Sequence, residues 1–158
     1  EKRITPDNIT SLKGNEIFVM GTNEKGVHGA GAAKFAYNVL GARRGQGFGL
    51  MGKTFGIPTK DENIQTLPLS DIQNYVNAFI SFAQRSPQRI YLVTAIGTGL
   101  AGLEVSNIAP MFYKALAVEN IHLPLSFWEE NIKFVQDFNS SLEELKDNLK
   151  TGKLKTVK

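Results

Sequence analysis

The sequence predicts a single α/β domain, a largely parallel sheet covered by helices on both faces. Three observations predict it. Apolar runs of strand length recur along the chain, segments with helical spacing stand between them, and no linker rich in Pro, Gly or Ser divides the 158 residues. Strand–helix alternation favours a parallel sheet, because parallel neighbours need a crossover that a helix can supply.

The elements follow in order. Glu16 to Gly21 is a short apolar run ending in glycine, a buried strand by length and composition. Ala32 to Leu40 has no breaker and is followed by Gly41, which suits a helix closed by a left-handed residue. Thr54 to Pro58 is a second strand. Ser70 is expected to cap a helix in which Ile72, Tyr75, Val76, Phe79, Ile80, Phe82 and Ala83 repeat at helical spacing, with Pro87 as its stop. Arg89 to Ala95 is the strongest strand. A helix is expected from near Glu104 to Ala117, a strand over Asn120 to Leu125, a helix over Phe127 to Phe138 and a separate short helix over Ser140 to Leu149. We therefore expect a domain over residues 1–138, with 139–158 as a terminal helix and loose basic tail.

Composition narrows the function classes. The chain has 42% hydrophobic and 21% charged residues and a net charge of +3, an ordinary globular balance. It has no cysteine, which excludes a disulfide framework, a zinc-thiolate site and a cysteine nucleophile. That absence fits a reducing compartment, so a cytoplasmic protein is expected. No apolar stretch approaches the roughly 20 residues of a membrane span, and Glu1 to Thr10 has no signal-peptide core. Lys150, Lys153, Lys155 and Lys158 crowd the last nine residues; a solvated tail is the simpler reading and nucleic-acid contact the weaker one. No metal site and no cofactor are expected.

Glycine is the main clue. Ten of the 15 glycines fall between Gly21 and Gly56, and Gly97, Gly99 and Gly102 form another group. Glycine costs backbone entropy, so its concentration signals tight turns or a ligand approaching the main chain. Two of the loops share a strand–glycine–helix layout, Gly21 to Gly31 and Gly97 to Gly102. Ligands of open α/β sheets sit at the carboxyl ends of the strands, and free N–H groups there favour phosphate. A third cluster, Gly45, Gly47, Gly49 and Gly52, is counted toward the same ligand site. No Gly-x-x-x-x-Gly-Lys-Ser/Thr occurs, and Gly26-x-x-Gly29-x-Gly31 is not the order of a dinucleotide fold.

These motifs resemble those of the macrodomain family. Asn8-Ile9-Thr10 followed by Glu16 to Asn23 is similar to the family's opening strand. Val27-His28-Gly29-Ala30-Gly31-Ala32-Ala33 resembles its first glycine loop, Gly47-Phe48-Gly49-Leu50 the segment before the next strand, and Ile96 to Leu103 its second loop. Gly29-Ala30-Gly31, Thr59-Lys60 and Ile96 to Leu100 look most like the branch of terminal ADP-ribose glycohydrolases and DNA ADP-ribosyl hydrolases. Short phage or mobile-element proteins carry the same pattern. The resemblance implies a three-layer α/β/α fold with a mixed, largely parallel sheet, and an ADP-ribose-like nucleotide or ADP-ribosylated macromolecule as partner. It implies Asp7 or Asn8 near the adenine, with Asn8 where the family has aspartate, and Asn23 reaching the distal ribose. Gly29, Ala30 and Gly31 would hold one phosphate; Gly97, Thr98, Gly99, Leu100 and Ala101 the other phosphate and the ribose.

The resemblance also puts Lys60 at the position of the branch's catalytic lysine, where an unprotonated amine attacks the anomeric carbon. Asp61 or His28 would then move the proton, although a loop histidine bonded to backbone is the plainer reading of His28. Ala101 stands where the branch often has aspartate. Three readings follow: an ADP-ribosyl hydrolase, a non-catalytic nucleotide-binding module, and a mobile-element protein that acts through a protein partner. Arg43 and Arg44 are read as exposed or phosphate-pairing, and Phe127 and Trp128 as packing residues rather than a base-stacking pair.

Overall fold

The computed structural model describes residues 2–153 and has the expected α/β architecture. Its strands are β1 (Glu16–Asn23), β2 (Gly49–Met51), β3 (Thr54–Lys60), β4 (Ile90–Val93) and β5 (Ile121–His122). They form one sheet in the order β2-β3-β1-β4-β5. β1 runs parallel to both β3 and β4, and β4 to β5; β2 alone is antiparallel, on β3.

Side-chain alternation along β1 sorts the two helical layers. Ile17 and Val19 point to one face and join Phe55, Ile57, Tyr91 and Val93 in the larger core. Phe18 and Met20 point to the other and join Ala36, Leu40, Ala42 and Met51. This period of two is what a strand buried on both faces requires. The larger face is covered by α2 (Leu69–Gln84), which buries Ile72, Val76, Phe79, Ile80 and Ala83. Its rings interlock with those of the sheet, Phe55 with Phe79 at 5.1 Å and Phe79 with Tyr91 at 5.5 Å between centroids. The smaller face is covered by α1 (Gly31–Phe35), which continues as one π-helical stretch over Ala36–Leu40 and ends at Gly41, φ 90°. Three layers result.

Several boundaries differ from the sequence reading, each for a local reason. The helix α2 starts one residue before Ser70, at the cap position of Pro68, and Ser70 caps nothing. The segment after the second glycine loop is α-helical only over α3 (Val105–Ile108); Ala109–Ala117 is 3₁₀. Pro110 lacks the N–H that an α-helix would need there. The strand expected over Asn120 to Leu125 is cut to two residues, because Pro124 caps the next helix and Leu123 pairs with Ile4. That helix, α4 (Leu125–Lys150), is continuous. The two helices expected over Phe127 to Phe138 and Ser140 to Leu149 are therefore one, and the 138/139 division falls inside it. Of the basic tail, Leu154–Lys158 lies outside the described residues. Among the described residues, no helix is long and apolar enough to cross a membrane.

One residue near the start closes the fold. The Arg3 guanidinium donates to the carbonyls of Ala115, Leu116, Val118 and Ile121 at 2.6–3.0 Å. These carbonyls lie at the end of the 3₁₀ stretch and the turn into β5, where Ala115 O and Val118 O also accept the N–H groups of Val118 and Ile121. The guanidinium also lies over the Trp128 ring, 5.1 Å from its centroid, and Trp128 Nε1 donates to the Arg3 carbonyl at 2.7 Å. Burial pushes the Arg3 pKa down, with the charge of Glu119 opposing. Trp128 is thus a packing residue, as expected.

Candidate functional site

The three central parallel strands end on one edge, which brings Gly21-Thr22-Asn23, Thr59-Lys60 and Thr94-Ala95 together. A bulge between Thr22 and Asn23 shifts the register, so that Asn23 stands opposite Lys60. Bulges of this kind re-aim side chains at strand ends. A cavity of about 410 Å³ opens there. Gly29, Ala30 and Gly31 of the first loop and Gly97, Gly99, Leu100 and Ala101 of the second all line it. The two glycine loops therefore border a single cleft.

A second cavity of about 360 Å³ adjoins it, lined by Asp7, Asn8, Phe18, Phe35 and Pro124 among others. Gly31, Ala32, Thr94 and Ala95 line both cavities. The cleft is therefore elongated, with Asp7 and Asn8 at one end and Lys60, Leu100 and Ala101 at the other.

The loops offer backbone donors. Among the described residues, the N–H groups of Gly29, Ala30, Ala32, Gly99, Leu100 and Ala101 have no acceptor. The second loop is braced from behind: Thr98 Oγ1 donates to Ala95 O at 2.6 Å and Leu103 N to Gly97 O at 2.8 Å. Lys60 is the one charged side chain among the described residues lining the larger cavity; Asp7 lines the smaller one. Free N–H groups and a cation without a carboxylate in the larger cavity favour an anion there.

Two glycines are informative because the fold does not demand them. Gly29 and Gly99 have no positive φ, and a methyl group added at either meets nothing closer than 4.0 Å. Gly31, Gly97 and Gly102, by contrast, sit at φ +59°, +80° and +72°. The conformation explains the second set; close approach of another molecule would explain the first.

The structure changes four of the sequence assignments. Asn23 lines the cleft, but its amide closes the 23–27 turn, donating to Val27 O at 2.7 Å and accepting from Val27 N at 3.0 Å. One amide N–H and one oxygen lone pair are thereby committed to the turn. His28 is 7% exposed, lines neither cavity, and bonds Arg43 O through Nε2 at 2.7 Å. Its ring packs beside Tyr37, 6.1 Å between centroids. Asp61 also lies off the lining; its carboxylate accepts from Asn63 N and Gln65 N at 2.8 and 3.0 Å. Thr98 turns its hydroxyl back to its own loop. The third glycine cluster is not part of the site either. Gly45 N donates to Gly26 O, and Gly47 O accepts from Thr22 Oγ1 at 2.6 Å, so these glycines let one loop lie against the sheet.

Sequence reasoning passed over Ile64, which lines the cleft. It is the one non-glycine at positive φ among the described residues, at 61°. Ile64 N donates to Asp61 O, Asp61 N to Gln65 O, and Lys60 bridges Thr66. This is a turn followed by a left-handed residue, a position that glycine or asparagine normally fills. For a β-branched side chain such a conformation costs on the order of 1–3 kcal/mol.

Nearby, Tyr75 ties α2 to the first loop by donating to Glu24 Oε2 at 2.5 Å. That hydrogen bond, then burial and the charges of Glu24 and Asp71, push the phenol pKa up from 10.0 to about 12. The folded chain holds the proton more tightly than the unfolded one. The contact therefore stabilises below pH 10 and is lost as pH rises to about 12. Alkaline unfolding monitored by circular dichroism should show this loss, and Tyr75→Phe should be without that component.

No family model, curated protein or solved structure matches this chain. Among the described residues, no group of three or more His, Asp or Glu side chains is placed to hold a metal.

Proposed function

We infer that the chain binds ADP-ribose or a closely related nucleoside diphosphate sugar along this cleft. The observation that carries the reading is the pair of glycines, Gly29 and Gly99, that the fold itself does not require and that come from two different loops to line one cavity. Flanking N–H groups without acceptors suit a diphosphate between the loops, and Lys60 adds a positive charge. The resemblance to macrodomain motifs adds the base end: an adenine in the adjoining cavity, with Asp7 or Asn8 reading its edge between the apolar Phe35 and Pro124. The absence of cysteine suits a cytoplasmic setting.

Binding without turnover is the better-supported form. No carboxylate or imidazole joins Lys60 among the described residues lining the larger cavity, and Asp61 and His28 are occupied elsewhere. One observation favours the hydrolytic reading, the position of Lys60 on the wall of the cleft. The two forms separate cleanly. Isothermal titration with ADP-ribose should show micromolar binding. Gly99→Ala should weaken it at least about tenfold with unchanged thermal stability, because the added methyl lies in open space. Release of ADP-ribose from modified protein or DNA by the wild type, absent in Lys60→Ala, would establish catalysis. No heat at millimolar ligand would end the nucleotide reading.

A further inference from the structure

We propose that Ile64 is a specificity-determining residue, which packs against a neutral sugar ring at the distal end of the diphosphate. The inference rests on the binding reading above and deepens it. Three observations carry it.

The first is the strained backbone. The turn Asp61-Glu62-Asn63-Ile64 would be relaxed by glycine or asparagine at its last position, and isoleucine stands there instead. The Asp61 carboxylate holds the turn by accepting two backbone N–H groups. The second is exposure. The residue is 43% exposed and joins neither core cluster, so burial in the core does not offset the strain. The third is place. Ile64 lines the large cavity and not the smaller one, so it sits at the Lys60 end, away from Asp7 and Asn8. Thr66 Oγ1 donates to Ala101 O at 2.9 Å, which fastens this turn to the second glycine loop. Leu100 on that loop is 75% exposed and lines the same cavity.

Ile64 and Leu100 thus give the Lys60 end apolar surface that water covers in the free protein. A furanose ring has a C–H face that fits such surface, whereas a chain ending at the second phosphate leaves it wet. Strain retained where a side chain meets a ligand is a known use of such outliers.

The test compares wild type with Ile64→Asn, since asparagine accepts the left-handed conformation. Titration calorimetry is run with ADP-ribose and with ADP, and melting is followed without ligand. We expect the variant to melt at a higher temperature, to bind ADP-ribose about tenfold more weakly, and to bind ADP as the wild type does. Equal ADP-ribose affinity in both proteins overturns the proposal, as does an equal loss for both ligands. A lower melting temperature also overturns it, by showing that the side chain serves the fold. If the wild type binds neither nucleotide, this proposal and the binding reading fall together. If it binds both and the variant matches it, only the role of Ile64 falls.

Discussion

Gly56→Ala is expected to destabilise the protein by at least about 3 kcal/mol, lowering the melting temperature by roughly 6–12 °C or preventing folding. Gly56 sits in β3 with strands on both sides, level with Met20 on β1 and with Gly49 on β2. A methyl group there would overlap the Gly47 carbonyl oxygen and lie 2.9 Å from Thr22 Cγ2. The first of these is backbone and cannot swing aside. That carbonyl also accepts the buried Thr22 hydroxyl, so shifting it breaks a second contact. Gly14→Ala is the control, since a methyl there meets nothing within 4 Å; thermal melts should leave it within about 0.5 kcal/mol of the wild type. A Gly56→Ala protein that melts like the wild type would refute the close packing of the 45–49 loop on the sheet.

Arg3→Ala should be nearly as damaging, at about 2–4 kcal/mol. The guanidinium satisfies four carbonyls from one side and covers the Trp128 ring from another. Removing it takes away all of these side-chain donors, although Ala115 O and Val118 O each keep a backbone N–H. Arg3→Lys keeps the charge but not the planar fork, and should recover less than half of the loss. Denaturant titration of the three proteins gives the values. Trp128→Phe, which keeps a ring but loses the donor to Arg3 O, should cost only about 1 kcal/mol. If Arg3→Lys were as stable as the wild type, charge alone would account for the contact.

Much of the fold was legible because burial leaves a periodic trace. The centre of β1, Ile17 to Met20, and the whole of β4 are apolar, as strands covered on both sides must be, and α2 carries its core residues at helical spacing. β2 left no trace: it has three residues, one of them Gly49. Asn139, Ser140 and Ser141 look like a break, yet α4 passes through them, since hydrogen bonds along the helix tolerate exposed polar residues of modest propensity.

The site was legible at the level of its loops and less so at the level of side chains. Glycine marks where a backbone must turn or be approached, and both loops were found that way. The same signal misassigned Gly45, Gly47, Gly49 and Gly52, because a loop lying against a sheet needs glycine as much as a loop lying against a ligand. Asn23 and Asp61 are residues whose polar side chains fold back onto their own turns, and nothing in their identity says which way they point. Ile64 was missed because β-branched residues suggest strand, and its left-handed backbone contradicts that preference.

The thin layer over Phe18 and Met20 has a consequence for how the molecule breathes. On that side a ten-residue helical stretch, with Ile9 and Leu12, shields the sheet, and its first two residues, Gly31 and Ala32, also line both cavities. Fraying of this stretch would wet the smaller core and dismantle the cleft in one event. A guest resting on those two residues would hold that stretch down, so filling the cleft and sealing the weaker side of the sheet are a single equilibrium.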